Sequence, residues 1–287
     1  MDFIARTRLL GALAALALST PGVARADPSL TLQPERARPG DALLVTVREA
    51  AEAPEGALGD RPLLFYPIDG GFRALAALPV ETAPGSIAVA VSLNGAPALR
   101  ATLAVEEPHW AEAELAVAPR FIEPPPEARR RMKRDQAAFD KAFAQPFGPP
   151  LFRDPFAWPL EAEITGRFGD KRLFNGKKQS QHYGDDLSGA EGAPVAAAND
   201  GKVVLVRDCY ASGRSVVLSH GAGLFTVYFH LSRIGVKTGA EVRRGERIGL
   251  VGRTGRVTGP HLHWGTKVGG LYVDPESILR LPFQDGR

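Results

Sequence analysis

Glycine interrupts the chain at short intervals from Trp158 onward, and short apolar runs lie between the interruptions. Runs of this length bounded by glycine are typical of strands rather than helices, and helix signals are nearly absent here. The predicted strands are Val203 to Val206, Ser215 to Ser219, Phe225 to His230 and Arg247 to Val251. The pattern therefore predicts an all-β domain over residues 158–287, which is large enough to bury its own core.

A second group of strand-like runs lies in the first part of the chain. The runs are Leu43 to Val47, Leu63 to Tyr66, Phe72 to Leu78, Ile87 to Leu93 and Leu99 to Val105. Turn dipeptides separate them, and Asn94-Gly95 between two alternating runs is a strong hairpin signal. We therefore expect residues 27–118 to form a β-sandwich-like domain, whose role the sequence does not indicate because it holds no cluster of catalytic residue types.

Proline is frequent between the two β regions, over residues 119–157. Within this linker, Glu127 to Ala144 is rich in helix formers, and Met132, Phe139 and Phe143 recur at helical spacing. The pattern predicts an amphipathic helix that docks on one of the two domains. The predicted fold is thus mostly β: an N-terminal β-sandwich-like domain, a linker helix and a C-terminal all-β domain.

Residues 1–26 have the pattern of a signal peptide. Arg6 and Arg8 precede the apolar run Leu9 to Leu18, and Ala24-Arg25-Ala26 has the small residues that signal peptidase requires. A membrane anchor is the weaker interpretation, since the run is about half of the ~20 residues that span a bilayer. We expect an exported protein of the periplasm or cell envelope, without an integral membrane segment after cleavage.

Charge and cysteine content exclude some classes of partner and site. The net charge of the 287 residues is only +3, and no basic run is interleaved with aromatic residues, so we expect no nucleic-acid partner. The single cysteine, Cys209, has no intrachain partner for a disulfide and excludes a thiolate-rich zinc site.

Histidine and aspartate occur in two patterns that suit a metal. His261 and His263 are separated by one residue, so a strand would direct both imidazoles to one face, and the same holds for His182 and Asp186 across Gly184. His182, Asp186 and one nitrogen of the histidine pair would supply three ligands and leave a fourth position for water. This is the arrangement of a catalytic rather than a structural zinc site, although a pair of surface histidines is the commoner origin of such a motif.

Three separated motifs, in this order and spacing, resemble the lysostaphin-type zinc metallopeptidases that cut cell-wall peptidoglycan. The resemblance extends from about Gly166 to Pro275. The motifs are His182-Tyr183-Gly184-Asp185-Asp186, Tyr228-Phe229-His230-Leu231 and Thr258-Gly259-Pro260-His261-Leu262-His263. Two mild departures are Ala193 at a position where the family usually has threonine and Asp185 where it usually has an apolar residue.

The resemblance implies a role for each matching residue. His182, Asp186 and His263 would bind one Zn²⁺ per chain, and His230 and His261 would be the catalytic histidines that do not bind the metal. We expect His261 to orient or deprotonate the attacking water and His230 to help hold the oxyanion. Asp185, beside Asp186, faces the opposite side of a strand and is expected to lie outside the ligand set.

Weaker site predictions concern the substrate groove. Asn175 corresponds to a position near the active-site entrance of the family, where it would contact substrate or, in latent forms, the metal; a plain turn asparagine is an equal alternative. Tyr183 and Tyr228 are candidates to line the groove, but either fits a core position as well. Cys209 lacks the motif of a cysteine-peptidase nucleophile.

Together these features predict an exported zinc-dependent endopeptidase that uses metal-activated water to hydrolyse peptide bonds in peptidoglycan stem peptides or cross-links. The partner is peptidoglycan, with a cell-wall enzyme as a possible second partner. The alternative is a non-catalytic peptidoglycan-binding or amidase-activating regulatory module of the same fold. Because all three ligands and both additional histidines are present, the sequence favours the enzyme.

Overall fold

A computed structural model describes residues 27–94, 96–176 and 178–284. The predicted signal peptide, residues 1–26, lies outside the described residues. Within these ranges, no helix has the length and apolar character needed to cross a membrane.

The first part of the chain forms two packed sheets, as predicted. One has four strands in the order β1-β3-β7-β6, and the other has five in the order β2-β9-β8-β4-β5. All neighbours are antiparallel except β2 and β9. The strands are β1 Ser29–Gln33, β2 Arg36–Ala37, β3 Ala42–Arg48, β4 Glu55–Leu58, β5 Arg61–Pro62, β6 Phe65–Ile68, β7 Gly71–Ala77, β8 Gly85–Leu93 and β9 Ala96–Val105.

Strand β3 is buried on both faces. Its side chains alternate, so Leu43 and Val45 enter the core between the two sheets. Leu44 points the other way, into a core that it shares with residues of the C-terminal region such as Trp264 and Leu262. The sandwich is therefore attached to the rest of the molecule through continuous apolar packing.

The predicted linker helix is confirmed as α1, Pro126–Phe143, with Pro126 at its first turn, where a missing N–H costs nothing. It follows β10, Glu112–Leu115, and a 3₁₀ turn at Pro119–Phe121. The apolar stripe docks on the C-terminal sheet: the Phe139 ring lies 5.6 Å from that of Phe229, and the Phe143 ring lies 5.4 Å from that of Phe225.

The C-terminal region is built on an eight-stranded sheet, in which β11-β14-β22-β18-β17-β16-β20 are neighbours and β23 pairs with β22. A small sheet, β15-β21-β19, packs beside it. The elements are β11 Ile164–Gly166, β12 Lys171–Phe174, β13 Lys178–Gln181, β14 Asp185–Ser188, β15 Pro194–Ala196, β16 Gly201–Cys209, β17 Gly213–Ser219, β18 Leu224–Leu231, β19 Arg233–Ile234, β20 Glu241–Val242, β21 Arg247–Leu250, β22 His261–Val268, β23 Leu271–Val273 and α2 Pro275–Arg280.

Two features of this region were not expected. Helix α2 is capped by the Asp274 carboxylate, which accepts a hydrogen bond from the Glu276 amide, a signal that Asp-Pro-Glu in the sequence carries. Strand β10, which lies inside the predicted 27–118 domain, pairs in parallel with β12 and forms a three-stranded sheet with β12 and β13. The chain thus passes along one side of the C-terminal region before it enters α1.

Candidate metal centre

The antiparallel pairing of β14 with β22 brings two of the predicted ligands together. Asp186 lies opposite His263, and Leu187 lies opposite Leu262, which is fully buried behind the site. Because side chains at opposed positions share a face, the Asp186 carboxylate and the His263 ring meet. His182 follows β13 and reaches the same point from the chain segment before β14.

Three ligand-type atoms converge at this point. Asp186 Oδ1 lies 2.9 Å from His263 Nδ1 and 3.1 Å from His182 Nε2, and the two nitrogens are 3.0 Å apart. Tetrahedral Zn²⁺ with bonds of 2.0–2.1 Å would hold its ligand atoms about 3.3 Å from one another. The donor set of two imidazoles and one carboxylate, already almost at this spacing, therefore fits zinc.

The surroundings of His182 decide which of its nitrogens faces the convergence point. Its Nδ1 lies 2.9 Å from both the Arg167 carbonyl oxygen and Arg172 Nη2, so these two groups engage that nitrogen. Nε2 then faces the convergence point. A carbonyl that orients a ligand histidine in this way is the usual outer support of a metal site.

Burial and neighbouring groups shift the pKa values of two of the three residues, His263 and Asp186. Burial lowers the pKa of His263 to about 4, although the Asp186 carboxylate opposes this shift. Burial raises the pKa of Asp186, but the contacts with His182 and His263 outweigh it and hold this pKa well below its ordinary value. At neutral pH the centre consequently offers a neutral imidazole and a carboxylate.

Arg172 on β12 is a component of the site that the sequence did not indicate. Its Nη2 donates to Asp186 Oδ2 at 2.6 Å, the carboxylate oxygen that does not face the two histidines. This leaves Oδ1 as the atom directed at the convergence point. The ion pair therefore orients the carboxylate.

The two remaining histidines lie beside the ligand set. His261 Nε2 is 3.7 Å from Asp186 Oδ1, while its Nδ1 lies 3.0 Å from the Gly259 carbonyl oxygen. The His230 ring is 4.9 Å from the His261 ring and 6.2 Å from that of His263. Both predicted catalytic histidines are thus gathered with the predicted ligands.

An unusual backbone conformation places His230 there. Phe229 is paired with His263 and its ring stacks on the His263 ring at 5.2 Å, so regular alternation would direct His230 to the opposite face. Instead His230 has φ of 64°, in the left-handed region, which turns its side chain back toward the site. Strain of this kind at a strand end is characteristic of functional positions.

Hydrogen bonds define what His230 can do chemically. Its Nδ1 donates to the Thr254 carbonyl at 2.8 Å, and burial, followed by the nearby charges of His261 and His263, lowers its pKa to about 3. The neutral ring therefore presents a lone pair at Nε2. His261 likewise directs its Nδ1 at a backbone carbonyl, that of Gly259, and its Nε2 faces Asp186.

The weaker substrate-site candidates are separated by the structure. Tyr183 is 39% exposed and lines the cavity in front of the ligand set. Tyr228 is fully buried; its hydroxyl accepts hydrogen bonds from the Ala198 amide and the Thr226 hydroxyl, so its position is that of a core residue. The Asn175 amide forms two 2.8 Å hydrogen bonds with the Val117 backbone and thus joins the end of β10 to that of β12.

Other polar residues of the C-terminal region are buried. Asp185 faces away from the ligand set, where Oδ1 accepts from the Phe168 amide and burial raises the pKa of the carboxyl to about 8. His220 is fully buried, and its ring lies between the Asp200 carbonyl and the Thr226 hydroxyl. Burial raises the pKa of the Cys209 thiol, which disfavours the thiolate that a nucleophile requires.

A cavity of about 660 Å³ opens in front of the ligand set. One wall comes from β10 and β12, and another from α1 through residues such as Phe139. The loop before β22 supplies Arg256, Val257 and Thr258. The cavity is therefore a cleft lined on two sides by segments that precede the predicted 158–287 domain or lie at its start.

Comparison with known proteins gives one family. Residues 180–275 match the model described as Peptidase family M23. Peptidoglycan DD-endopeptidase ShyA of Vibrio cholerae is 44% identical over 120 residues, or 41% of this chain and 28% of that protein. DD-carboxypeptidase/endopeptidase Mpg of Neisseria meningitidis is 41% identical over 97 residues, or 34% of this chain and 22% of that protein.

The matched regions thus span about a quarter of these curated relatives. A crystal structure from Pseudomonas aeruginosa, whose description assigns it provisionally to peptidase M23, covers more of the molecule. It is 28% identical with a TM-score of 0.65, and the match includes 84% of this chain and 94% of that chain. The fold of the N-terminal region and linker, as well as that of the metal-site region, is therefore found in a solved structure.

Proposed function

We propose that this chain, whose residues 180–275 match peptidase family M23, is an exported zinc metalloendopeptidase of the cell envelope that hydrolyses peptide bonds in peptidoglycan. The observation that supports this most directly is the convergence of His182, Asp186 and His263, with His230 and His261 beside them. The names of the curated relatives favour a bond between two D-amino acids of the wall cross-links as the bond that is cut.

His182 Nε2, Asp186 Oδ1 and His263 Nδ1 would hold the metal. Zinc bound there would lower the pKa of a water molecule and polarise the scissile carbonyl. Three protein ligands leave one position open to the cleft, as catalytic zinc sites require. The neutral state of His263 favours binding at neutral pH, since no proton has to be displaced from its ring.

The two other histidines would move protons. His261 Nε2, close to Asp186 Oδ1, is placed to accept the proton of the attacking water. His230 bears its proton on the nitrogen directed at Thr254, so it would act through a lone pair at Nε2 and could donate to an oxyanion only after gaining a second proton. We propose His261 as the first proton acceptor and His230 as the group that receives and returns a proton near the oxyanion and the leaving amine.

Two substitutions separate metal binding from proton transfer. We expect the zinc-loaded full chain to contain about one zinc and to lower the turbidity of purified cell walls. His263→Ala should lose both zinc and lysis. His261→Ala should retain zinc and lose turnover by about 10²- to 10⁴-fold, the usual contribution of a general base. His109→Ala, which alters an exposed histidine outside the site, is the matched control.

Metal analysis measures the zinc content of each variant, turbidity measures lysis of the walls, and mass spectrometry identifies the released peptides. Wall binding without released peptides would contradict the enzyme and support a non-catalytic module. Release of peptides from exported proteins, with none from the wall, would support a peptidase but contradict peptidoglycan as its substrate.

A further inference from the structure

Arg256 has an unusual environment within the cleft. It is half-buried, and its guanidinium lies over the ring of Phe174 at 4.8 Å from the centroid. Among the described residues, no carboxylate pairs with it, and its side chain has no hydrogen-bond acceptor. A cation of this kind, partly removed from water without an anion, is unfavourable unless a ligand completes it.

The carboxylates that line the cleft are already engaged elsewhere. Asp135 accepts hydrogen bonds from Arg207 and the Tyr210 amide. Asp170 accepts from the amides of Ala111 and Arg167. Asp186 is bound by Arg172 and the ligand histidines. Within the described part of the cleft, no carboxylate is therefore available to pair with Arg256.

A second guanidinium, that of Arg172, lies on the same strand as the ring beneath Arg256. Arg172 and Phe174 are two residues apart on β12, so they share a face, and Arg256 stacks on the second of them. Burial and, next, the positive charge of Arg172 lower the pKa of Arg256. Because Arg172 is already paired with Asp186, an anionic group of a ligand in the cleft would find Arg256 as the guanidinium without a carboxylate partner among the described residues.

The loop that carries Arg256 is fixed in place. The Arg256 amide donates to the Ala211 carbonyl at 2.7 Å, and the Thr254 hydroxyl donates to the Leu231 carbonyl at 2.9 Å. The Thr254 carbonyl also accepts a hydrogen bond from His230 Nδ1. The same loop thus orients a candidate catalytic histidine and presents Arg256, so a group bound by Arg256 would have a defined position relative to the bond that is cut.

We propose that Arg256 binds a free carboxylate of the peptide substrate and makes the enzyme prefer peptides in which that group is ionised over those in which it is a carboxamide. This inference rests on the proposed function, since it names the recognised group of the same substrate. A planar guanidinium held by stacking matches a carboxylate through two parallel hydrogen bonds, whereas a carboxamide offers one acceptor oxygen and no charge.

The test uses two wall peptides that differ only in whether one carboxyl group is free or amidated, prepared for each carboxyl in turn. For one such pair, we expect the zinc-loaded wild type to show a kcat/KM about 10- to 100-fold higher on the free acid, chiefly through KM, as expected for one hydrogen bond between charged groups. Arg256→Gln should abolish this preference, and Arg256→Lys should retain part of it.

Arg253→Gln is the matched control, because it removes the same charge from an exposed position of the same loop. Zinc content should be unchanged in all variants, which separates substrate recognition from damage to the metal site. The inference is overturned if Arg256→Gln keeps the preference, or if it slows both members of every pair equally.

Failure of the proposed function has a different signature. If the zinc-loaded wild type cuts no peptide, the same uncut pairs are titrated into wild type and Arg256→Gln by calorimetry. Tighter binding of the free acid by the wild type alone then supports the carboxylate site without the enzyme. Equal binding of acid and amide by both proteins rejects the site as well.

Discussion

Gly184 has no side chain in a place where even one methyl group would reach the metal centre. A Cβ built there would lie 2.6 Å from the Trp264 carbonyl oxygen and 2.8 Å from both Cε1 and Nε2 of His263. Ordinary contacts between such atoms are about 3.5 Å, so the Gly184→Ala methyl requires a shift of about 0.7 Å. Trp264 lies in β22 between two paired strands, so its carbonyl cannot give way; the backbone at residue 184 and the His263 ring must therefore both move.

The size of that shift sets the expected effect. Metal-ligand distances tolerate errors of about 0.2 Å, so a ring displaced by about 0.7 Å cannot keep both its bond and its orientation. We expect Gly184→Ala to weaken zinc binding by about 100-fold or more, beyond the 10- to 100-fold typical of changes outside the ligand set. Overpacking should also lower the free energy of unfolding by about 1–3 kcal/mol.

Competition with a chromophoric chelator measures the zinc affinity, and urea denaturation measures the stability. Gly259→Ala is the control, because it lies in the histidine motif and a Cβ there meets nothing within 4 Å. Gly184→Ala with the zinc affinity and unfolding free energy of the wild type would refute the reasoning, since it would show that the ring accommodates the methyl group.

Two further predictions concern stability. Burial lowers the pKa of His220 to about 4 from its ordinary 6.5, so the unfolded chain binds the proton more readily and the folded state loses stability as pH falls through this window. Between pH 7 and pH 5 this residue contributes about 2 kcal/mol to the loss of unfolding free energy, and the loss should be smaller by that amount in His220→Gln, which keeps the contributions of His230 and His263. Phe139→Ala removes the ring that packs against Phe229 and Phe143 and should lower the free energy of unfolding by about 2 kcal/mol, whereas Leu64→Ala, at a position that is 54% exposed, should change it by less than about 0.5 kcal/mol.

Urea denaturation at a series of pH values checks the first of these predictions. Parallel pH profiles for wild type and His220→Gln would show that the buried ring does not titrate as expected. Equal losses for Phe139→Ala and Leu64→Ala would show that α1 is not held by its aromatic stripe.

The general architecture could be predicted because local signals and burial agree. In β3, Leu43 and Val45 belong to an apolar run that begins just after the turn dipeptide Pro39-Gly40. Helix α1 carries its apolar residues at helical spacing, and prolines lie at both of its ends. The position of β10 could not be predicted, since its residues Glu112–Leu115 are mostly exposed, and the parallel pairing with β12 depends on the assembled fold. Arg172 was missed for a related reason: nothing local distinguishes it from any other strand arginine.

Single residues of the predicted site also show the difference between what local sequence patterns predict and what depends on the assembled fold. Alternation along β22 accounts for His261 and His263 sharing a face, because both belong to one regular strand. The same rule applied to β18 would direct His230 away from His263, since Phe229 is the residue stacked on that ring. Only the left-handed φ of His230 reverses this, and the hydrogen bond from its amide to the Ser212 carbonyl holds the turn in place. The family resemblance placed His230 at the site, whereas periodicity alone would have placed it on the other face, so the strained residue is where local rules and function diverge.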